Sequence, residues 1–121
     1  MNESRVEQLR SAMDDRGIDL VALAPSDNLR YALGFSPIAD ERACMLLVSP
    51  RSLSFVVPSL NADQALEHSP KLDAYRWDDA DGPLDSIRQA LAVHDGAAVR
   101  RVAVDPEMRA DILMTLQAFI P

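Results

Sequence analysis

The feature that most constrains this chain is a pair of apolar segments, Ala43 to Val48 and Leu53 to Val57, separated only by Ser49-Pro50-Arg51-Ser52. Parallel neighbours in a sheet need a crossover of about a dozen residues or more, so a connection this short predicts an antiparallel pair. Around the pair, helix-like and strand-like segments alternate, which is the pattern of an α/β sheet with helices on its faces. The hairpin therefore predicts a mixed sheet rather than a wholly parallel one.

The remaining segments follow in order. Ser4-Arg5-Val6-Glu7 is a capping-box pattern, and Val6, Leu9, Ala12 and Met13 recur at helical spacing, predicting a helix over 5–16 that Gly17 stops. Leu20 to Ala24 is continuously apolar, as in a strand covered on both faces. Ser26 or Asp27 caps a short helix closed by Gly34, and residues 35–40 lack either period and read as a loop. Asn61 caps a helix that reaches His68, ahead of Pro70. Leu72 to Trp77 alternates, with Tyr75 and Trp77 on one face, and reads as a strand. Leu84, Ile87, Ala90 and Leu91 stripe a helix that ends near His94, with Gly96 as its terminator. Arg101 to Asp105 is a short fifth strand, and Pro106 opens a last helix with Met108, Ile112, Leu113, Leu116 and Phe119 on one face.

Length and composition narrow the function classes. A chain of 121 residues with no internal linker or repeat fits one domain spanning 1–121. Its longest apolar runs are six residues, against the roughly 20 needed to cross a bilayer, and its start is amphipathic rather than signal-like. A soluble, cytoplasmic protein without a membrane partner is expected. Twelve basic against nineteen acidic residues leave a net charge of −7 with no basic block, which argues against nucleic acid as a partner. Cys44 is the single cysteine and lies inside an apolar run, so it reads as a small buried hydrophobe.

Catalytic constellations are missing. Gly17, Gly34, Gly82 and Gly96 are too dispersed for a phosphate-binding or dinucleotide-binding loop. His68, His94 and Cys44 offer no zinc spacing, and each histidine, near a predicted helix end, reads as solvated or favoured by the helix dipole. Asp14-Asp15 and Asp78-Asp79 are adjacent pairs whose side chains diverge, so surface charge is the simpler reading. On these grounds the chain positions or assembles rather than reacts. No catalytic or metal-ligating residue is assigned, and no cofactor.

One stretch carries a family resemblance. Asn28-Leu29-Arg30-Tyr31-Ala32-Leu33-Gly34-Phe35 resembles the Asn-(apolar)-Arg-Tyr-(apolar)-Thr-Gly-Phe signature in the N-terminal domain of creatinase, prolidase and Xaa-Pro aminopeptidases. Around it, Arg16-Gly17-Ile18-Asp19, Arg42-Ala43 leading into Met45-Leu46-Leu47-Val48, and Arg101-Val102-Ala103-Val104-Asp105 are similar to the family's other segments, in the same order. Leu33 and Ala103 depart from it, standing where the family often has Thr and Gly. The resemblance implies a three-layer α/β/α domain with a ribonuclease-H-like five-stranded mixed sheet, order 3-2-1-4-5 with strand 2 antiparallel.

It also implies a function. In that family the N-terminal domain is non-catalytic, mediates dimer assembly and shapes access to the active site. The chemistry belongs to a C-terminal pita-bread domain, which in peptidase members binds two divalent metal ions. The resemblance thus implies a domain of a longer hydrolase, with the pita-bread domain of the same chain as partner and a homodimeric parent. Arg42 matches an arginine that in creatinase-like members reaches the neighbouring subunit's substrate, and its planar fork suits a carboxylate. A solvated charge at a strand entrance is the other reading. Tyr31 and Phe35 are the further access candidates, with core packing as the alternative. Xaa-Pro peptidase chemistry, creatinase-like amidinohydrolase chemistry and a stand-alone interaction module all remain open.

Overall fold

The computed structural model describes residues 1–120. Its elements are α1 (Glu3–Arg16), β1 (Leu20–Leu23), α2 (Asp27–Leu33), β2 (Met45–Val48), β3 (Leu53–Pro58), α3 (Ser59–His68), β4 (Ala74–Trp77), α4 (Leu84–Ala92), β5 (Val102–Val104) and α5 (Ala110–Phe119). Their order and type are those that periodicity and turn chemistry predict.

Capping explains most of the shifts at element ends. Helix α1 starts two residues before the predicted boundary because Asn2, not Ser4, accepts the Arg5 N–H, at 3.0 Å. Asparagine is among the best N-caps, and it leaves Glu3 in the first turn, where the helix dipole favours an acid. Gly17 does end α1, at φ +66. Helix α3 begins at Ser59, directly after Pro58, rather than at an Asn61 cap. Helix α4 stops at Ala92 through a right-handed Val93, so Gly96 is not its terminator.

The five strands form one sheet in the order β4-β3-β2-β1-β5. As the short connection requires, β2 and β3 pair antiparallel, with Met45 opposite Val56 and Val48 opposite Leu53. Strand β2 is also antiparallel to β1, whereas β1–β5 and β3–β4 are parallel. The mixed sheet with an antiparallel second strand is therefore present, but the order 3-2-1-4-5 is not. The fourth strand lies outside β3 instead of between β1 and β5. Its burial agrees with that place: Arg76 is exposed and Ala74 and Tyr75 are only half-buried, as on an edge strand rather than a fully covered interior one. The β3–α3–β4 crossover is local, and α4 then carries the chain back to the open edge of β1.

Alternation along the strands divides the core in two. Val21, Leu23, Leu46, Val48, Phe55 and Val57 face one side, where Val6 and Met13 of α1, Leu29 and Leu33 of α2 and Ala62 and Ala65 of α3 cover them. Leu20, Ala22, Met45, Leu47, Val56 and Trp77 face the other, under Ile87 and Ala90 of α4 and Leu116 of α5. Three layers result. None of the described helices is long and apolar enough to cross a membrane.

Candidate functional site

One end of the sheet gathers the residues of interest. Strands β1, β3, β4 and β5 finish there and β2 begins there, as their pairing directions require. In open α/β sheets the crevice beyond the strand ends is the usual place for a ligand.

A buried acid organises the first part of this end. Asp105, 3% exposed, directly follows β5. It accepts a 2.6 Å hydrogen bond from Ser26 Oγ and a longer one, 3.4 Å, from Asn28 Nδ2 through Oδ2, and the Glu107 N–H donates to Oδ1 at 2.8 Å. Ser26 also caps α2 by accepting the Leu29 N–H at 3.2 Å. Asp105 thus anchors the start of the helix that carries the Asn28–Phe35 motif. In sequence Asp105 reads only as the last residue of the fifth strand and of the family-like Arg101–Asp105 segment. The available signal was an acid between an apolar Val-Ala-Val run and a proline.

Arg42 lies at the same end, and two contacts set its place. The Trp77 indole donates to the Ala43 carbonyl at 2.9 Å, which holds the segment after β4 beside the segment before β2. Two residues past Trp77, Asp79 then meets Arg42: Nε to Oδ1 is 3.1 Å and Nη2 to Oδ2 is 3.0 Å. Asp40 accepts the Arg42 backbone N–H at 2.9 Å, and its Oδ2 stands 3.7 Å from Nη1. The hydrogen bond and charge of Asp79 push the Arg42 pKa upward, and Arg42 in turn holds Asp79 below the usual carboxylate range. The Arg42 side chain is 30% exposed, so solvent still reaches the guanidinium. Arg109, before α5, makes a similar pairing with Asp111 through Nε at 3.1 Å and Nη2 at 3.3 Å.

Tyr31 and Phe35 do not join Arg42. The Tyr31 hydroxyl donates to Gln8 Oε1 at 2.9 Å, and the Arg5 guanidinium covers its ring 4.5 Å from the centroid. Tyr31 remains half exposed beside a cleft of about 300 Å³ lined by Arg5, Gln8, Leu9, Leu23, Asn28 and Ala32. Phe35 stacks on His68 at 4.9 Å with the rings 7° from parallel. No hydrogen bond, ion pair or ring contact among the described residues links the three. Aromatic packing at Phe35 and a helix–helix contact at Tyr31 account for most of what these rings touch.

His94 corrects a second expectation. It is 4% exposed rather than solvated, and it lies at the opposite end of the sheet, against the β2–β3 hairpin. Its Nδ1 meets Ser49 Oγ and its Nε2 meets Ser54 Oγ. Arg10 grips the same hairpin from the other face, donating to the Ser49 and Ser52 carbonyls at 2.9 and 3.0 Å. A serine–histidine contact can suggest a nucleophile and its base, but Ser49 is 7% exposed and its neighbours clamp the turn. This cluster is a fastening. Among the described residues no group of three or more His, Cys, Asp or Glu side chains could hold a metal ion.

Residues 5–121 match the family model described as the creatinase/prolidase N-terminal domain. The chain belongs to that family. Solved structures agree on the creatinase/prolidase N-terminal fold. A dipeptidase from Pyrococcus horikoshii OT3 superposes with a TM-score of 0.79 at 25% identity, over 95% of this chain and 32% of that one. A proline dipeptidase structure from Streptococcus agalactiae gives a TM-score of 0.85 at 20% identity, over 98% of this chain and 89% of that one. The creatinase/prolidase N-terminal domain of an X-Pro dipeptidase from Streptococcus pyogenes gives 0.84 at 20% identity, covering 98% and 89%. The chain thus spans about a third of the length of the Pyrococcus protein and most of the two streptococcal chains. No curated protein matches it. Within this creatinase/prolidase N-terminal domain, the Asn28–Phe35 motif forms α2 and its glycine cap, with Gly34 at φ +79.

Proposed function

We propose that this domain serves a longer Xaa-Pro dipeptidase-type hydrolase as a non-catalytic module that assembles the dimer and shapes access to the active site. The observation that carries the reading is Arg42, 30% exposed at the strand ends, with Asp79 hydrogen-bonded to the side edge of its guanidinium and not to the end edge. Large apolar side chains at the same end support it. Ile38 is 91% exposed ahead of β2, Leu60 79% just past β3, and Leu84 53% past β4. Side chains of that kind gain from being covered by another surface. On this reading the hydrolytic groups and two divalent metal ions belong to residues outside the domain. The Arg42 fork faces the substrate carboxylate, while Tyr31 and Phe35 stand apart from it.

The test is steady-state hydrolysis of alanyl-proline by the full-length protein carrying Arg42→Ala. KM should rise about tenfold, as expected when one charged contact to substrate is lost, with kcat changing less. Unchanged KM and kcat would remove Arg42 from the site. Light scattering of the full-length protein examines assembly separately, and a strictly monomeric protein would end the dimer reading.

A further inference from the structure

We infer that Asp79 is a positioning residue for Arg42, holding one edge of its guanidinium so that the other is presented to a substrate carboxylate. This inference rests on the substrate-access reading of Arg42 and extends it to a residue in the β4–α4 turn.

A guanidinium has two edges able to form a paired contact with a carboxylate: the side edge, Nε with Nη2, and the end edge, Nη1 with Nη2. Asp79 takes the side edge, with both distances near 3 Å. The end edge keeps both Nη1 hydrogens and the outer Nη2 hydrogen out of hydrogen bonds: Asp40 Oδ2 makes only an ion pair with Nη1 at 3.7 Å, and Glu41 adds its charge nearby. A carboxylate arriving at that edge therefore need not displace Asp79. An unrestrained arginine loses rotamer freedom when it binds, and a guanidinium already fixed loses less.

The geometry also explains why the restraint is placed here. Asp79 is itself 70% exposed, so the pair adds little to stability. Its anchoring is firmer than its exposure suggests, because the Trp77–Ala43 hydrogen bond fixes the two segments that carry the pair. Asp40 restrains the same arginine from its own loop by accepting the Arg42 backbone N–H. A pair that contributes little to folding yet fixes an arginine from two sides fits positioning better than structural support.

The experiment compares Asp79→Ala, Asp79→Glu and Arg42→Ala in the full-length protein with alanyl-proline as the probe. Asp79→Ala should raise KM about fivefold with kcat within about twofold. Asp79→Glu should recover part of that loss, and melting temperatures should stay together. A second measurement needs no turnover: in the 121-residue chain, the Arg42 Nε–H should exchange with solvent faster in Asp79→Ala, seen by ¹⁵N NMR. An unchanged KM for Asp79→Ala beside a raised KM for Arg42→Ala would overturn the positioning role alone. A lowered KM would do the same, since Asp79 would then be competing with substrate. Unchanged exchange at Nε would show that the pair does not restrain the guanidinium. An unaffected Arg42→Ala would remove the access reading, and the role of Asp79 with it.

Discussion

His94 donates its Nε2 hydrogen to Ser54 Oγ across 2.9 Å, because the single Ser54 hydroxyl hydrogen is already committed to the Ala90 carbonyl 2.8 Å away. This fixes the neutral tautomer, leaving Nδ1 to accept from the Ser49 hydroxyl. The imidazole thereby joins the end of α4 to the β2–β3 hairpin.

Burial first, then the nearby Arg10 charge, lowers the His94 pKa from its ordinary value. The unfolded chain takes up this proton at about pH 6.5, while the folded chain resists it until a lower pH. The stability held by neutral His94 is complete above about pH 6.5 and drains as the pH falls toward the folded value. Urea midpoints measured from pH 7.5 to 5.5 should decline, with a slope from this one proton of at most about 1.4 kcal/mol per pH unit. His94→Gln should be less stable at pH 7.5 and show a shallower slope. An equal slope in both proteins would exclude His94 as the source.

Phe55 is fully buried on β3, an interior strand, whereas Ile38 is 91% exposed. Phe55→Ala should destabilise by about 3–5 kcal/mol through lost burial and a residual cavity. Ile38→Ala should stay within about 0.5 kcal/mol, as surface changes usually do. Trp77, the sole tryptophan and nearly buried, supplies the fluorescence signal for both titrations.

Gly34 closes α2 at φ +79, and a Cβ there would meet nothing within 4 Å. Its requirement is therefore conformational rather than steric crowding. Gly34→Ala should cost about 1–2 kcal/mol, the penalty for a left-handed L-residue, and Gly34→Asn less. Thermal melts of the two variants give the comparison, and equal losses would contradict it.

Burial pushes the Cys44 thiol up to about 12, with a smaller contribution from Asp40. At pH 8 the reactive thiolate is almost absent and the sulfur is covered. Labelling by a chromogenic disulfide reagent should be slow in buffer and rapid in denaturant. Prompt labelling of the folded chain would show that the segment entering β2 opens readily.

Local chemistry alone determined a good deal of this protein. The ten elements and the burial of Cys44 were legible because caps, glycine stops and hydrophobic period act within a few residues. The antiparallel hairpin was legible too, because four residues cannot make a crossover. The motif from Asn28 to Phe35 marked the family in the same local way. Tertiary structure decided the rest. Strand β4 is placed at the edge beyond β3 by what the whole sheet can cover, which no single segment encodes. His94 and Ser49 are 45 residues apart and Arg42 and Asp79 are 37 apart, so their chemistry exists only once the layers close. A histidine near a helix end and an acid in a polar turn carry no mark of such partners. Only packing turns the first into a buried fastening and the second into a brace for an arginine.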